Sequence, residues 1–266
     1  MKFTLSEEEI RKFNEKGFLI IKGLYKNYPY IEKIKSDINF ISKLILKKNY
    51  TTMNVSDFTE FDSIYKYLLA IDKKKASLIY DAIKLLPFFN KWSHCDLHYT
   101  LSSTLLKSKL IGFCRTGDGI RADAPDNNFY AFPHQEFSAQ GRSEQGLVFW
   151  SPLINMKREL GPVKIWERSH KLGVLPVGFA KNKKKITAYD IILKDKKKFL
   201  SGLKTTSPLL SINDLLIMHF LTVHSSNKNI STDIRWSLQT RFFKFEEIRA
   251  IDSFWKKVNL YSYLPV

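Results

Sequence analysis

The chain has 266 residues, 44% of them hydrophobic and 14% aromatic, which excludes a disordered polypeptide and allows one large domain with a substantial core or two small ones. Its formal charge of +17 attracts anions, yet the lysines are scattered through a chain rich in Ile, Asn and Phe, as an AT-rich genome would supply. No nucleic-acid-binding motif accompanies them, so the expected partner is a small, anionic molecule and not DNA or RNA.

Two cysteines, Cys95 and Cys114, make neither a disulfide framework nor a thiolate zinc site, which fits a reducing compartment. The start, MKFTLSEEEI, is acidic and lacks a long apolar run, so no secretory signal is expected. The longest strongly apolar stretch, LLIMHFLTV (215–223), is too short to span a bilayer. Together these features predict a soluble cytoplasmic protein.

In chain order, TLSEEEIRKFNEKGF predicts a helix. Ser6 and Glu9 form a capping box, with Leu5 and Ile10 placed as a hydrophobic staple. Gly17 then leads into FLIIKGL (18–24), a β-branched run that reads as a strand. Helical periodicity dominates from about 28 to 108, as in IEKIKSDINFISKLILKK. Near Lys109 the character changes to short apolar or alternating runs separated by Gly, Pro, Asn and Asp: KLIGFCR, QGLVFWSPL, GPVKIWE, SPLLSI, DLLIMHFL and RWSLQTRFFKF. Such a series predicts an antiparallel barrel or a double-sheet jelly roll. The basic stretch 179–202 reads as an exposed excursion between strands. The whole is expected to be one α+β domain over 1–266, with a mainly helical layer (1–108), a β-core (109–245) and a C-terminal tail (246–266).

The histidines narrow the chemistry. His94 and His98 have helical spacing but no HExxH pattern, so packing or surface roles are expected. His170 lies in a turn-like ERSHKLG, and His219 alternates within an apolar strand as a core histidine would. FPHQEFSAQ (132–140) is different. It looks like neither helix nor core, and on an extended segment His134 and Glu136 point to the same side. A non-haem iron site needs two neutral imidazoles and a carboxylate on one face, with the remaining positions open. His224, at the end of DLLIMHFLTVH, can supply the second imidazole. In the strand after it, Arg235, Ser237, Gln239 and Arg241 share one face; Trp236, Leu238, Thr240 and Phe242 share the other. Two readings stand for that polar face. It is either solvated, or it lines a barrel cavity in which a guanidinium clamps a carboxylate.

At this point three segments, in order, resemble the phytanoyl-CoA dioxygenase family of iron(II)/2-oxoglutarate-dependent oxygenases. GIRADAPDNNFYAFPHQE resembles the approach to the family's H-x-D motif. GLVFWSPLINMKRELGPVKIWERSHKLG resembles its tryptophan strand, Gly-Pro and Ser-His-Lys turn. HSSNKNISTDIRWSLQTRF resembles its distal histidine and 2-oxoglutarate arginine. The resemblance runs from FNEKGFLIIKGL to about Phe245. It implies a double-stranded β-helix (jelly-roll or cupin-like) core, iron(II) held by His134, Glu136 and His224, and 2-oxoglutarate and dioxygen as co-substrates. It also implies Arg235 on the distal carboxylate of 2-oxoglutarate with Ser226 beside it, and Gln135, Trp150 and Arg121 around the co-substrate pocket. The implied activity is hydroxylation of an unactivated C–H bond; the positive charge and the basic 179–202 stretch, not the motifs, favour a small anionic substrate of the CoA, phosphate, nucleotide or sugar-acid type.

The chain departs from the family pattern in two places. Glu136 stands where Asp is usual; it is one methylene longer but can still ligate iron, and it leaves no room for a halide. Glu167 and Arg168 stand where Pro-Gly commonly precedes the Ser-His. The same departures motivate an alternative, a catalytically silent relative that keeps the fold as a ligand-binding module.

Overall fold

The computed structural model describes residues 3–49, 60–114, 117–125, 131–141, 143–179 and 191–247. Helix α1 (Glu7–Lys16) starts on the expected capping box: the Ser6 hydroxyl accepts from the Glu9 N–H, and the Glu9 carboxylate accepts from the Ser6 N–H. Gly17 ends the helix in the left-handed region at φ 82°. A Cβ there would stand 2.4 Å from His170 Nδ1, so glycine is required by both conformation and space. The chain turns directly into β1 (Phe18–Ile21).

Helices α2 (Tyr30–Asn49), α3 (Ser63–Ile71), α4 (Lys73–Ala76), α5 (Ile79–Ala82), α6 (Pro87–Ser93) and α7 (Asp96–Leu106) form the helical layer. In α2, Ile31, Ile34, Ile38 and Ile41 recur at helical spacing and are buried, which fixes the face the helix turns inward.

The strands follow: β2 (Ile111–Phe113), β3 (Gly119–Asp123), β4 (Gly146–Pro152), β5 (Val163–Trp166), β6 (Val177–Phe179), β7 (Ile191–Leu193), β8 (Thr205–Thr206), β9 (Leu215–His219), β10 (His224–Ser226) and β11 (Arg235–Lys244). Two short helices interrupt them, α8 (Glu136–Gln140) and α9 (Lys196–Leu200). The main sheet runs β1–β9–β4–β11, with β2 and β3 sharing the other edge of β11. A second sheet runs β10–β5–β8, and β6 pairs with β7. Every pairing is antiparallel.

Alternation along the strands separates two cores. Leu147, Phe149, Leu215, Ile217, Trp236, Leu238 and Phe242 pack outward against the helical layer, among Ile34, Ile38, Ile64, Tyr65 and Leu101. Val148, Trp150, Leu216, Met218 and Phe243 face inward and meet Val163 and Ile165 of the second sheet. The polar face of β11 therefore looks into the space between the sheets and not into water. Trp236 Nε1–H also donates to Asp62 Oδ2 (2.8 Å) beside the start of α3, which ties the helical layer to the sheet.

One predicted strand is missing. SPLLSI (207–212) is irregular; Leu210 is buried and its carbonyl accepts from the Met156 N–H (2.8 Å), but Pro208 has no N–H to give a ladder. Part of the basic excursion (180–190) and most of the tail (248–266) lie outside the described residues.

Candidate metal centre and its cavity

His134 is brought to His224 by the backbone. Each residue's N–H donates to the other's carbonyl at 3.1 Å, an isolated antiparallel bridge at the mouth of β10. The imidazole centroids are 4.4 Å apart. Extended structure lasts only to Gln135. Glu136 opens α8 instead of continuing a strand, yet its carboxylate still returns to the same side as His134. One donor atom from each of His134, Glu136 and His224 lies within 4.8 Å of the others, with His224 Nε2 4.0 Å from Glu136 Oε2.

Both imidazoles are aimed by a backbone carbonyl. His134 Nδ1 pairs with the Phe132 carbonyl (2.7 Å) and His224 Nδ1 with the Thr222 carbonyl (3.0 Å). A carbonyl only accepts, so Nδ1 carries the proton and Nε2 keeps its lone pair. Burial lowers both pKa values, that of His224 to about 3, so the rings are neutral at physiological pH, as ligation requires. Burial pushes the Glu136 carboxyl up, but the Arg241 guanidinium and then His134 outweigh it and hold the pKa at about 2. The donor set, two neutral imidazoles and one carboxylate, fits iron(II).

A cavity of 340 Å³ opens in front of this cluster. Trp150, Arg121, Ser226 and Arg235 all line it, as do Tyr80, Lys84 and Gln239. Arg235 is buried and held from three sides: Nε and Nη2 donate to Asp123 Oδ2 (3.1 and 2.7 Å), Nη2 to Ser226 Oγ (3.0 Å), and Nη1 to the Gly161 carbonyl. Gly161 has φ 69°, and a Cβ there would stand 2.5 Å from the Asn227 and Lys228 carbonyls. Asp123 is shared, since Arg121 Nη2 donates to its other oxygen (2.8 Å).

Gln135 does not reach the cavity wall. Its side chain donates to the Gly173 and Leu221 carbonyls (2.8 Å each) and accepts from the Leu175 N–H (2.8 Å), so it ties three loops together behind the site. Alternation explains this: with His134 and Glu136 inward, Gln135 must point outward.

The turn at Glu167 and Arg168 is held by the N-terminal helix and the strap before His224. Arg168 takes φ 66° without glycine, its N–H donates to the Lys16 carbonyl (2.9 Å), and its guanidinium lies 3.7 Å from Glu15. Ser169 then bridges the Trp166 carbonyl (2.7 Å) and the Val223 N–H (2.8 Å), next to His224.

The remaining histidines have structural partners. His98 is buried, with Nε2 2.6 Å from the Tyr25 hydroxyl, and His219 Nδ1 accepts from the Leu221 N–H (3.1 Å). Sequence reasoning missed Asp123, Asp118 and Gln140 and left Arg241 without a role. The inward alternation of β11 could have flagged Arg241; nothing local marks the other three. Within the described part of the basic excursion, Lys196 and Lys197 line a second groove with Lys164 and Trp166 on the outer face of the second sheet, while Ile191 lines the cavity itself.

No protein-family model matches the sequence, and no curated protein matches it. Solved structures do match. The epimerase SnoN, in complex with Fe3+, alpha-ketoglutarate and nogalamycin RO, aligns over 90% of this chain and 83% of its own, with a TM-score of 0.60 and 13% identity. The chain has the double-stranded β-helix fold. EvdO2 from Micromonospora carbonacea var. aurantiaca, complexed with 2-oxoglutarate, aligns over 91% of this chain and 92% of its own (TM-score 0.54, 13% identity). EctD from S. alaskensis, with 2-oxoglutarate and 5-hydroxyectoine, aligns over 91% and 78% (TM-score 0.53, 10% identity). Among the described residues no helix is long and apolar enough to cross a membrane.

Proposed function

We propose that this chain is an iron(II)/2-oxoglutarate-dependent oxygenase of the phytanoyl-CoA dioxygenase type. The observation that carries the reading is the meeting of His134, Glu136 and His224 in one cavity with Arg235 and Ser226. His134 and His224 would give iron their Nε2 atoms and Glu136 a carboxylate oxygen. Iron with 2-oxoglutarate supplies dioxygen-dependent oxidation of an unactivated C–H bond. Arg235, fixed by Asp123 and Gly161, would present its guanidinium to the distal carboxylate of 2-oxoglutarate, with Ser226 Oγ adding a hydrogen bond. The inward apolar side chains Val148, Trp150 and Met218 would keep bulk water from the reacting carbon.

Hydroxylation is the outcome we favour, although proteins with this fold include an epimerase and a carbocyclase. The substrate we infer is a small anion, because Arg121 and Lys84 put positive charge on the cavity wall beyond the Arg235 given to 2-oxoglutarate. The outer groove with Lys196 and Lys197 gives this inference no support.

The test is an anaerobic titration with iron(II) and then 2-oxoglutarate, followed by the weak visible charge-transfer band of the chelated keto acid. The band is expected in the wild type and lost in His134→Ala and His224→Ala. A folded wild-type protein that gives no band would leave the alternative, a ligand-binding module. The pairing of Glu136 with Arg241 is the one observation that favours that alternative.

A further inference from the structure

We propose that Arg241 and Gln140 are positioning residues that hold Glu136 by one oxygen and leave the other for the metal. This rests on the reading of His134, Glu136 and His224 as ligands. The two oxygens of Glu136 have different surroundings. Oε1 accepts from Arg241 Nε at 2.7 Å and from Gln140 Nε2 at 3.1 Å. Oε2 faces His224 Nε2 at 4.0 Å, and its one hydrogen-bond contact among the described residues is Arg241 Nη2 at 3.4 Å, beyond the usual range. Oε1 is thus saturated by the protein, and Oε2 is turned to the imidazoles.

Arg241 is itself immobilised. Its Nη1 donates to the Gly117 carbonyl and Nη2 to Gln239 Oε1 (2.8 Å), while Asp118 Oδ1 lies 3.9 Å from Nη1. Gly117, at φ 95°, admits this approach, since a Cβ there would stand 2.9 Å from Gln140 Nε2 and 3.4 Å from the guanidinium. Gln140 is four residues beyond Glu136 and so lies on the same face of α8. The brace accounts for glutamate at this position. An aspartate carboxylate would sit about 1.5 Å nearer the backbone and could not meet both Arg241 and the imidazoles.

The experiment is a titration of the full-length apo-protein with Co(II), read by its visible ligand-field bands, with iron(II) affinity from competition against a chromophoric chelator. Arg241→Gln is expected to weaken metal affinity about 10- to 100-fold, and Arg241→Lys to recover part of that. Gln140→Met, which leaves Arg241 in place, is expected to weaken it less and to change the Co(II) bands. Glu136→Asp should cost affinity in the wild type but little more in the Arg241→Gln background, because the two act through one contact. Unchanged or tighter metal binding in Arg241→Gln, or additive costs in the double variant, would overturn the proposal. Failure of the wild type to bind Co(II), or binding that survives His224→Ala, would instead overturn the ligand reading and the brace with it.

Discussion

Asp123→Asn isolates the ion-pair cluster that fixes the arginine end of the cavity. Asp123 is buried between Arg121 and Arg235 and accepts three guanidinium hydrogen bonds, at 2.8, 2.7 and 3.1 Å. An asparagine keeps one accepting oxygen and turns an NH₂ toward a guanidinium, so at least one face of the cluster is lost. Hydrogen bonds to charged groups contribute about 1.5–3 kcal/mol each, and removing one partner of a buried pair costs about 3–5 kcal/mol because a charge is left uncompensated. We expect Asp123→Asn to lose about 3–5 kcal/mol in urea unfolding at pH 7, and its Tm to fall by roughly 10 °C. The pH dependence has a definite sign. Burial pushes the Asp123 carboxyl up, but Arg121 and Arg235 together bring it below its ordinary value. A depressed carboxylate contributes its stability above the unfolded pKa of about 3.9 and loses it as the pH falls through the folded value. The gap between wild type and variant should therefore hold between about pH 5 and 8 and narrow below about pH 4. A loss under about 1 kcal/mol at pH 7, or a gap that widens on acidification, would refute the cluster as a source of stability.

Arg235→Lys keeps the charge but not the fork that engages Asp123 and Ser226 together. Losing one charge-assisted hydrogen bond of about 1.5–3 kcal/mol should raise the concentration of 2-oxoglutarate needed for half-maximal charge-transfer absorbance by about 10- to 150-fold, and an unchanged titration would remove Arg235 from the co-substrate site. His98 predicts acid sensitivity. Its burial lowers the pKa to about 3, against about 6.5 unfolded, so the unfolded chain binds an extra proton between those values. Stability should fall as the pH drops below about 6.5, by up to about 1.4 kcal/mol per pH unit from this group, and His98→Gln should reduce the slope of stability against pH by about one proton.

How far the sequence could be read depended on whether a signal was local. The Ser6–Glu9 cap, the turn at Gly17, the strand after it and the alternation of RWSLQTRFF are short-range patterns, and each has its counterpart in the fold. His134, Glu136 and His224 were legible because their residue types limit the chemistry, although α8 replaced the expected extended segment at Glu136. Asp123 and Gln140 were not legible. A lone Asp after an arginine carries no local mark of the Arg235 guanidinium it meets, nor does a Gln in a short helix mark the carboxylate it shares with Arg241. Gln135 went the other way: the family resemblance put it at the pocket, and alternation turned it to Gly173 and Leu221. The groove formed by Lys164, Lys196 and Lys197 shows why net charge misleads, since charge counts say nothing about which face of a sheet carries them.

The force that aims the polar groups is the burial of their neighbours. On β11, Arg235, Gln239 and Arg241 face the cavity because Trp236, Leu238 and Phe242 are buried against the helical layer. The strand lies between β4 on one side and β2 and β3 on the other, paired with β4 from Ser237 to Phe243. A slip of one residue would bring three large apolar side chains into the cavity and send two guanidiniums under the helical layer. At about 2 kcal/mol for each large side chain exposed, with the cost of burying unpaired charge added, that register is forbidden. Arg235 and Arg241, six residues apart on one strand, are therefore held at a separation set by hydrophobic packing on the far face. Such a strand can fix the Arg235 end of the cavity and the Glu136 end independently of the loops between them.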